Sequence, residues 1–187
     1  MDDKLANQLK RCVSTCCVKK NVALRFKKRI SNGKLTREEN ATSHFGVFFV
    51  GYDILVKKVF IGHHRKSDLW IPHGGHIDKD ELLLETLLRE IDEKWGVQVS
   101  NVKSMMPELL TITEIENKRQ KCKRHYDIWY FVKLDQETFD YDKEKIHEEF
   151  HCVRWCSIKE AKKLVVAPSV VEALDYLGEK LAEQERD

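Results

Sequence analysis

A glycine pair, Gly74 and Gly75, runs into a leucine-rich stretch that also carries Glu81, Arg89, Glu90 and Glu93. Two helical glutamates three residues apart share one side, where their charges repel. That arrangement is tolerable on a wet surface, and it becomes useful when a divalent cation neutralises it. Oxygen-rich pairs of this kind suit Mg2+ or Mn2+, which keep waters and recruit substrate phosphates. A Gly-Gly turn entering a helix lets backbone approach an anion or metal, because no Cβ stands in the way. Loop, helix and acids then converge where a metal-bound diphosphate could sit. Each signal alone is common: glycines before a helix usually make a plain turn, and helical glutamates usually face solvent.

The element that must position these groups is a helix over residues 78–95. Asp78 and Glu81 resemble a capping box and predict a start near Lys79. At about 100° per residue, Leu84, Leu87, Leu88, Ile91 and Trp95 form its buried face, with Glu90 and Glu93 roughly opposite.

The spacing as a whole resembles the Nudix box, G-x5-E-x7-R-E-U-x-E-E-x-G-U, where U is aliphatic. Gly75, Glu81, Arg89, Glu90, Ile91, Glu93, Gly96 and Val97 fit eight of its nine fixed positions. "LWIPHGGHID", "HYDIWYFV" and "EEFHCVRWCSIKEA" extend the likeness to about residues 42–165. The resemblance implies a metal-dependent hydrolase, using Mg2+ or Mn2+, of a diphosphate linkage in a nucleoside diphosphate derivative or similar compound. It implies a catalytic set of Glu90, Glu93, Arg89 and Glu149. Glu90 and Glu93 would ligate metal, with a carbonyl of Gly74 or Gly75 added, and Glu90 is the candidate base. Arg89 and Glu81 would brace loop and helix through charge-assisted hydrogen bonds. Glu149, six residues before Trp155, is the best auxiliary acid, and its neighbour Glu148 stays open; a solvated loop is the competing reading of both. Gly74, Gly75, His76 and Arg65 are the expected substrate contacts, with His63, His64 and His73 at the same entrance. Trp70, Trp129 and Tyr130 are candidates for stacking on a base, although strand aromatics more often belong to a core.

The ninth position departs. Lys94 stands where the family carries a second, metal-ligating glutamate. A protonated amine cannot ligate Mg2+, and its charge opposes a nearby cation. Three outcomes follow. The site runs on fewer metals with acids from elsewhere filling in, the ammonium replaces one metal's charge, or a catalytically impaired Nudix-fold module only binds its ligand.

Around this centre the chain reads as α+β, a mixed α/β/α sandwich. Leu5, Leu9, Cys12, Val13, Cys16 and Cys17 recur at helical spacing, and a polar linker follows. "HFGVFFVGYD" and "ILVKKVFIGHH" read as a hairpin turning at Gly-Tyr-Asp, and "SDLWIPHGG" as a short strand ending at Pro72. "VQVSNVKSMM", "ELLTITEIE", "KRHYDIWYFVKL" and "EFHCVRWCSI" read as further strands. Ser157 caps a short helix, and Pro168 opens a C-terminal one. The division expected is a basic helical extension over 1–40 and a Nudix-like domain over 41–187.

Composition sets outer bounds. With 187 residues and 42% hydrophobic content the chain can bury a core, and a net charge of +2 excludes little. Residues 1–40 hold eleven Lys/Arg against four acids, a bias that suits nucleic acid or anionic lipid but equally a solvated helix face. No apolar run approaches the ~18 residues of a membrane span, and the acidic start lacks a signal-peptide core. Six cysteines without a paired C-x2-C framework suggest free thiols in a cytoplasmic protein, with Cys12, Cys16 and Cys17 expected in the core.

Overall fold

The aromatic and β-branched run that begins at residue 43 forms β1 (Ser43–Asp53), and it pairs in parallel with β6 (Arg124–Lys133) from Ser43↔Arg124 to Tyr52↔Lys133. A computed structural model describes residues 2–98, 105–116, 121–184 and 186. β5 (Leu109–Glu114) closes one edge against β6, and β2 (Lys58–His64) pairs with β7 (Phe150–Ser157) at the other. β1 and β2 meet only at Gly51–Asp53 and Lys58–Phe60 and then part. In the opening, β3 (Leu69–Ile71) pairs with β2, and β4 (His73–His76) pairs with β1. The result is one seven-stranded mixed sheet.

Strand alternation sends Phe45, Val47 and Phe49 to one face, with Tyr126, Ile128, Tyr130 and Val132 beside them. That face is covered by α3 (Leu83–Trp95), by α1 (Asp2–Thr15) and α2 (Lys20–Ser31), and by Ile146 of α4 (Lys143–Glu149). Leu5, Leu9, Phe26 and Ile30 are buried in this same core. The opposite face, with Val50, Ile61 and Phe131, lies under α5 (Ile158–Leu164) and α6 (Pro168–Glu183). The α/β/α expectation holds. So do the Ser157 cap, which exchanges bonds with Glu160, and the Pro168 start. Among the described residues no helix is long and apolar enough to cross a membrane.

Several local expectations are corrected. The Nudix-box helix starts at Leu83, not Lys79, because Asp80 has φ +71°, which a right-handed helix cannot continue through. Glu81 instead closes a turn, its Oε2 accepting from the Asp78 amide at 3.2 Å, while Glu85 reaches back to the Leu82 amide at 2.7 Å. The buried line is Leu83, Leu87, Ile91 and Trp95, and Leu88 is exposed. The first hairpin turns at residues 54–57 rather than at Gly51–Asp53, where the Asp53 carboxylate accepts from the Leu55 and Val56 amides. Of the strand expected in "VQVSNVKSMM", residues 99–104 lie outside the described residues, and 97–98 and 105–106 are not strand. Cys17 is exposed, since α1 ends at Thr15.

Candidate functional site

The two glycines are not a turn but the middle of β4, and each is required by a close approach. At Gly74, φ is +142° and a Cβ would lie 2.4 Å from the Val47 carbonyl oxygen. At Gly75 it would lie 2.0 Å from Glu90 Oε1. The missing side chain lets the α3 carboxylate lie directly against the strand. Gly96 ends α3 in the left-handed region, φ +67°, where a Cβ would strike Asp142.

Glu90 is 3% exposed, so it is not on the wetted side opposite the leucines, as the spacing suggested, but inside the protein. Its Oε1 accepts from Arg89 Nη1 at 2.8 Å. Its Oε2 has no hydrogen-bond partner assigned among the described residues and is ion-paired with the Lys94 ammonium at 3.2 Å. Burial pushes the Glu90 carboxyl above its ordinary range, against the pull of Lys94 and Arg89. Glu93, one turn on, is half exposed and meets Arg89 Nη1 at 3.2 Å.

Arg89 is fully engaged. It grips Glu81 with two bonds of 2.6 and 2.9 Å and reaches the His76 carbonyl at 2.9 Å. One guanidinium therefore ties the turn before α3, the end of β4 and two α3 acids into a single frame.

Lys94 is only 7% exposed and lies among acids. Its Nζ is 2.9 Å from Glu149 Oε1 and 4.0 Å from Glu93 Oε2, besides the contact with Glu90. Burial alone would lower its pKa, but Glu90 and Glu149 carry it above the ordinary lysine value, so the amine stays charged. Glu149 comes not from a loop but from the last turn of α4, and Glu148 beside it is exposed. With Asp78 at 3.6 Å from Arg89, five carboxylates surround two cations and the cluster keeps a net negative charge. An all-oxygen donor set with a buried, unbonded carboxylate oxygen fits a hard divalent cation.

The other expected contacts are held by partners of their own. Arg65 donates from Nε to the His147 carbonyl at 2.8 Å and from its amide to the Glu149 carbonyl, tying β2 to α4. His73 is a core residue stacked on Phe60, and burial pulls its pKa down to about 3. His63 stacks on Trp70, and His64 bonds Ser67. Trp129 and Tyr130 are buried, the indole donating to Thr111 Oγ1 at 2.7 Å; Trp70 alone of the three is partly exposed, with Arg154 over its ring. His76 follows Gly75 and so points to the opposite face, where its Nε2 lies 3.1 Å from His125 Nε2.

The same layout recurs in known proteins. A family model described as the NUDIX domain matches residues 42–177. The m7GpppN-mRNA hydrolase NUDT17 of Xenopus laevis is 28% identical, over 73% of this chain and 54% of that protein. The asymmetrical bis(5'-nucleosyl)-tetraphosphatase of Rattus norvegicus is 30% identical, over 51% of this chain and 60% of its own length. This chain thus spans only a little over half of these curated relatives. Two solved structures share the fold at 17% identity. The E. coli dihydroneopterin triphosphate pyrophosphohydrolase has a TM-score of 0.59, covering 71% of this chain and 92% of its own. A C. elegans Ap4A hydrolase has a TM-score of 0.56, covering 73% and 97%. With the glycine strand, the braced helix and the mixed sheet all inside the matched span, the chain belongs to the NUDIX domain family.

Proposed function

We propose that this protein hydrolyses the diphosphate linkage of a nucleoside diphosphate derivative, with Mg2+ or Mn2+ held by Glu90, Glu93 and a carbonyl of Gly74 or Gly75. The observation that supports this best is the buried Glu90 carboxylate, seated against Gly75 and braced by Arg89, with one oxygen left unbonded. The cation would supply Lewis-acid polarisation of phosphate oxygens and a lowered pKa for the attacking water. Glu90, raised by burial, is suited to accept that water's proton. The Lys94 ammonium, fixed between Glu90 and Glu149, takes over part of the positive charge the family places there, and it can meet a phosphate oxygen. Glu149 holds that ammonium in place.

A second reading has a specific observation behind it. Lys94 occupies the space between two acids that a cation would otherwise claim, which suits a module that binds its ligand without turnover. A panel of nucleoside-diphosphate-linked compounds, dinucleoside polyphosphates and capped dinucleotides separates the two. The enzymatic reading expects divalent-dependent product release from at least one compound. It also expects a loss of about 100-fold or more in Glu90→Gln and a comparable loss in Lys94→Met. Thermal stabilisation by a panel compound, with no product under Mg2+ or Mn2+, would establish binding alone. A rise in rate for Lys94→Glu would show that the ammonium obstructs a metal instead of replacing one.

A further inference from the structure

On the sheet face away from Glu90, three imidazoles and a thiol meet. His44 of β1 and His125 of β6 are register partners, so alternation puts both rings on the α6 side. His76 joins them from β4, across the strand from Gly46. Cys122 comes from the segment leading into β6, three residues before His125. The rings lie 4.6 to 5.2 Å apart between centroids. One donor atom from each of His44, Cys122 and His125 falls within 4.8 Å of the others.

The ring nitrogens face one another and the thiol. His44 Nδ1 lies 2.9 Å from the Asn40 carbonyl, so Nδ1 carries the proton and Nε2 presents a lone pair. That lone pair faces only Cys122 Sγ, at 3.7 Å, a long contact for a weak donor. The backbone carbonyl thus sets the His44 tautomer in the way that outer partners orient metal-bound histidines. Two Nε2 atoms, of His76 and His125, face one another at 3.1 Å. A tetrahedral zinc, with Zn–N near 2.0 Å and Zn–S near 2.3 Å, places its ligand atoms roughly 3.3 to 3.6 Å apart. Two separations found are near that size, 3.1 Å between the His76 and His125 Nε2 atoms and 3.7 Å between His44 Nε2 and Cys122 Sγ, and the His44, Cys122 and His125 donor atoms, within 4.8 Å of one another, would draw in by up to about 1 Å on binding.

We infer that His44, Cys122 and His125, with His76 as the fourth ligand, form a binding site for a zinc-class transition metal, separate from the carboxylate site. Nitrogen and sulfur donors select this class over Mg2+. Three chain segments would be clipped together: the start of β1, the end of β4 and the entry to β6. Because His76 adjoins Gly75, such an ion would also fix the strand on which Glu90 rests. The inference does not depend on the hydrolytic reading.

Cobalt provides the test. Full-length protein stripped with a chelator and titrated with Co2+ is expected to develop a thiolate-to-cobalt charge-transfer band, reversed by added Zn2+. Cys122→Ser should abolish the band and weaken zinc binding by about 100-fold or more, since even partners outside the ligand shell are worth up to that factor. His125→Gln should weaken zinc binding while leaving one thiolate ligand. Glu90→Gln combined with Glu93→Gln should keep the band, which separates this site from the carboxylates. No band in folded native protein would overturn the inference. A band that survives Cys122→Ser, and so belongs to another cysteine, would overturn it too.

Discussion

Gly75 and His76 are neighbours in one strand, yet they border two chemically opposed regions. On the α3 side lie carboxylates with an arginine and a lysine, all oxygen donors and fixed charge. On the α6 side lie imidazoles, a thiol and the buried Asp127, which among the described residues accepts from the Thr111 and Thr113 hydroxyls. Glu90 and Asp127 are both buried acids. Glu90 has two cations within reach, whereas Asp127 Oδ1 has no hydrogen-bond partner among the described residues, and burial pushes its pKa up to about 7. A buried charge is thus held where counter-ions can be brought in on a helix, and where they are not it is tuned towards neutrality.

The strongest way to break this contrast is Arg89→Met. It removes the bonds to Glu81, Glu90, Glu93 and the His76 carbonyl and leaves the buried Glu90 and the part-buried Glu81 without that counter-charge. A loss of about 3 kcal/mol is expected in urea unfolding, and a loss within a few tenths of the native value would show that the frame contributes little. Gly75→Ala comes next. Its methyl must displace the Glu90 carboxylate, which costs about 2 kcal/mol and lowers turnover as Glu90→Gln does. Unaltered turnover would mean that Glu90 need not rest on β4.

Asp127→Asn sharpens the other side of the contrast. The folded pKa of about 7 lies above the ordinary aspartate value, so the folded protein keeps a proton that the unfolded chain has released. Native stability should therefore fall as pH rises from about 4 to about 7, and the asparagine variant should not follow. Denaturation at pH 5 and pH 8 should show the variant gaining on the native protein by about 2–3 kcal/mol. Parallel pH profiles would count against a protonated Asp127. The smallest effect expected is that of Cys17→Ser, within about 0.5 kcal/mol in the same melts, because that thiol is exposed and outside both regions.

The acids of α3 were legible because a fixed spacing on a helix projects into space without help from the rest of the chain. The strands of hydrophobic alternation, the Ser157 cap and the Pro168 start were legible for the same reason. Features that depend on partners were not. β4 consists entirely of glycine and histidine, so it shows no alternation, and its pairing with β1 decides its state. The burial of Glu90 depends on Gly75 lying over it, and the late start of α3 on a positive φ at Asp80. α4 is a single short helix that read as a loop, although Asp142 caps it with bonds to the Glu144 and Lys145 amides. The imidazole cluster joins residues from three distant segments through sheet register. Its one local signal is the Cys122-x2-His125 spacing.

Parallel pairing of β1 with β6 has a consequence for how the molecule assembles. β4 and α3 adjoin in the chain, so Arg89 can find Glu81 and the His76 carbonyl by closing a short loop. Ser43 reaches Arg124 only after everything between them has been gathered in, and such distant closures are slow. The carboxylate frame can therefore form early on the folding path, while the histidine pocket is among the last parts to take shape.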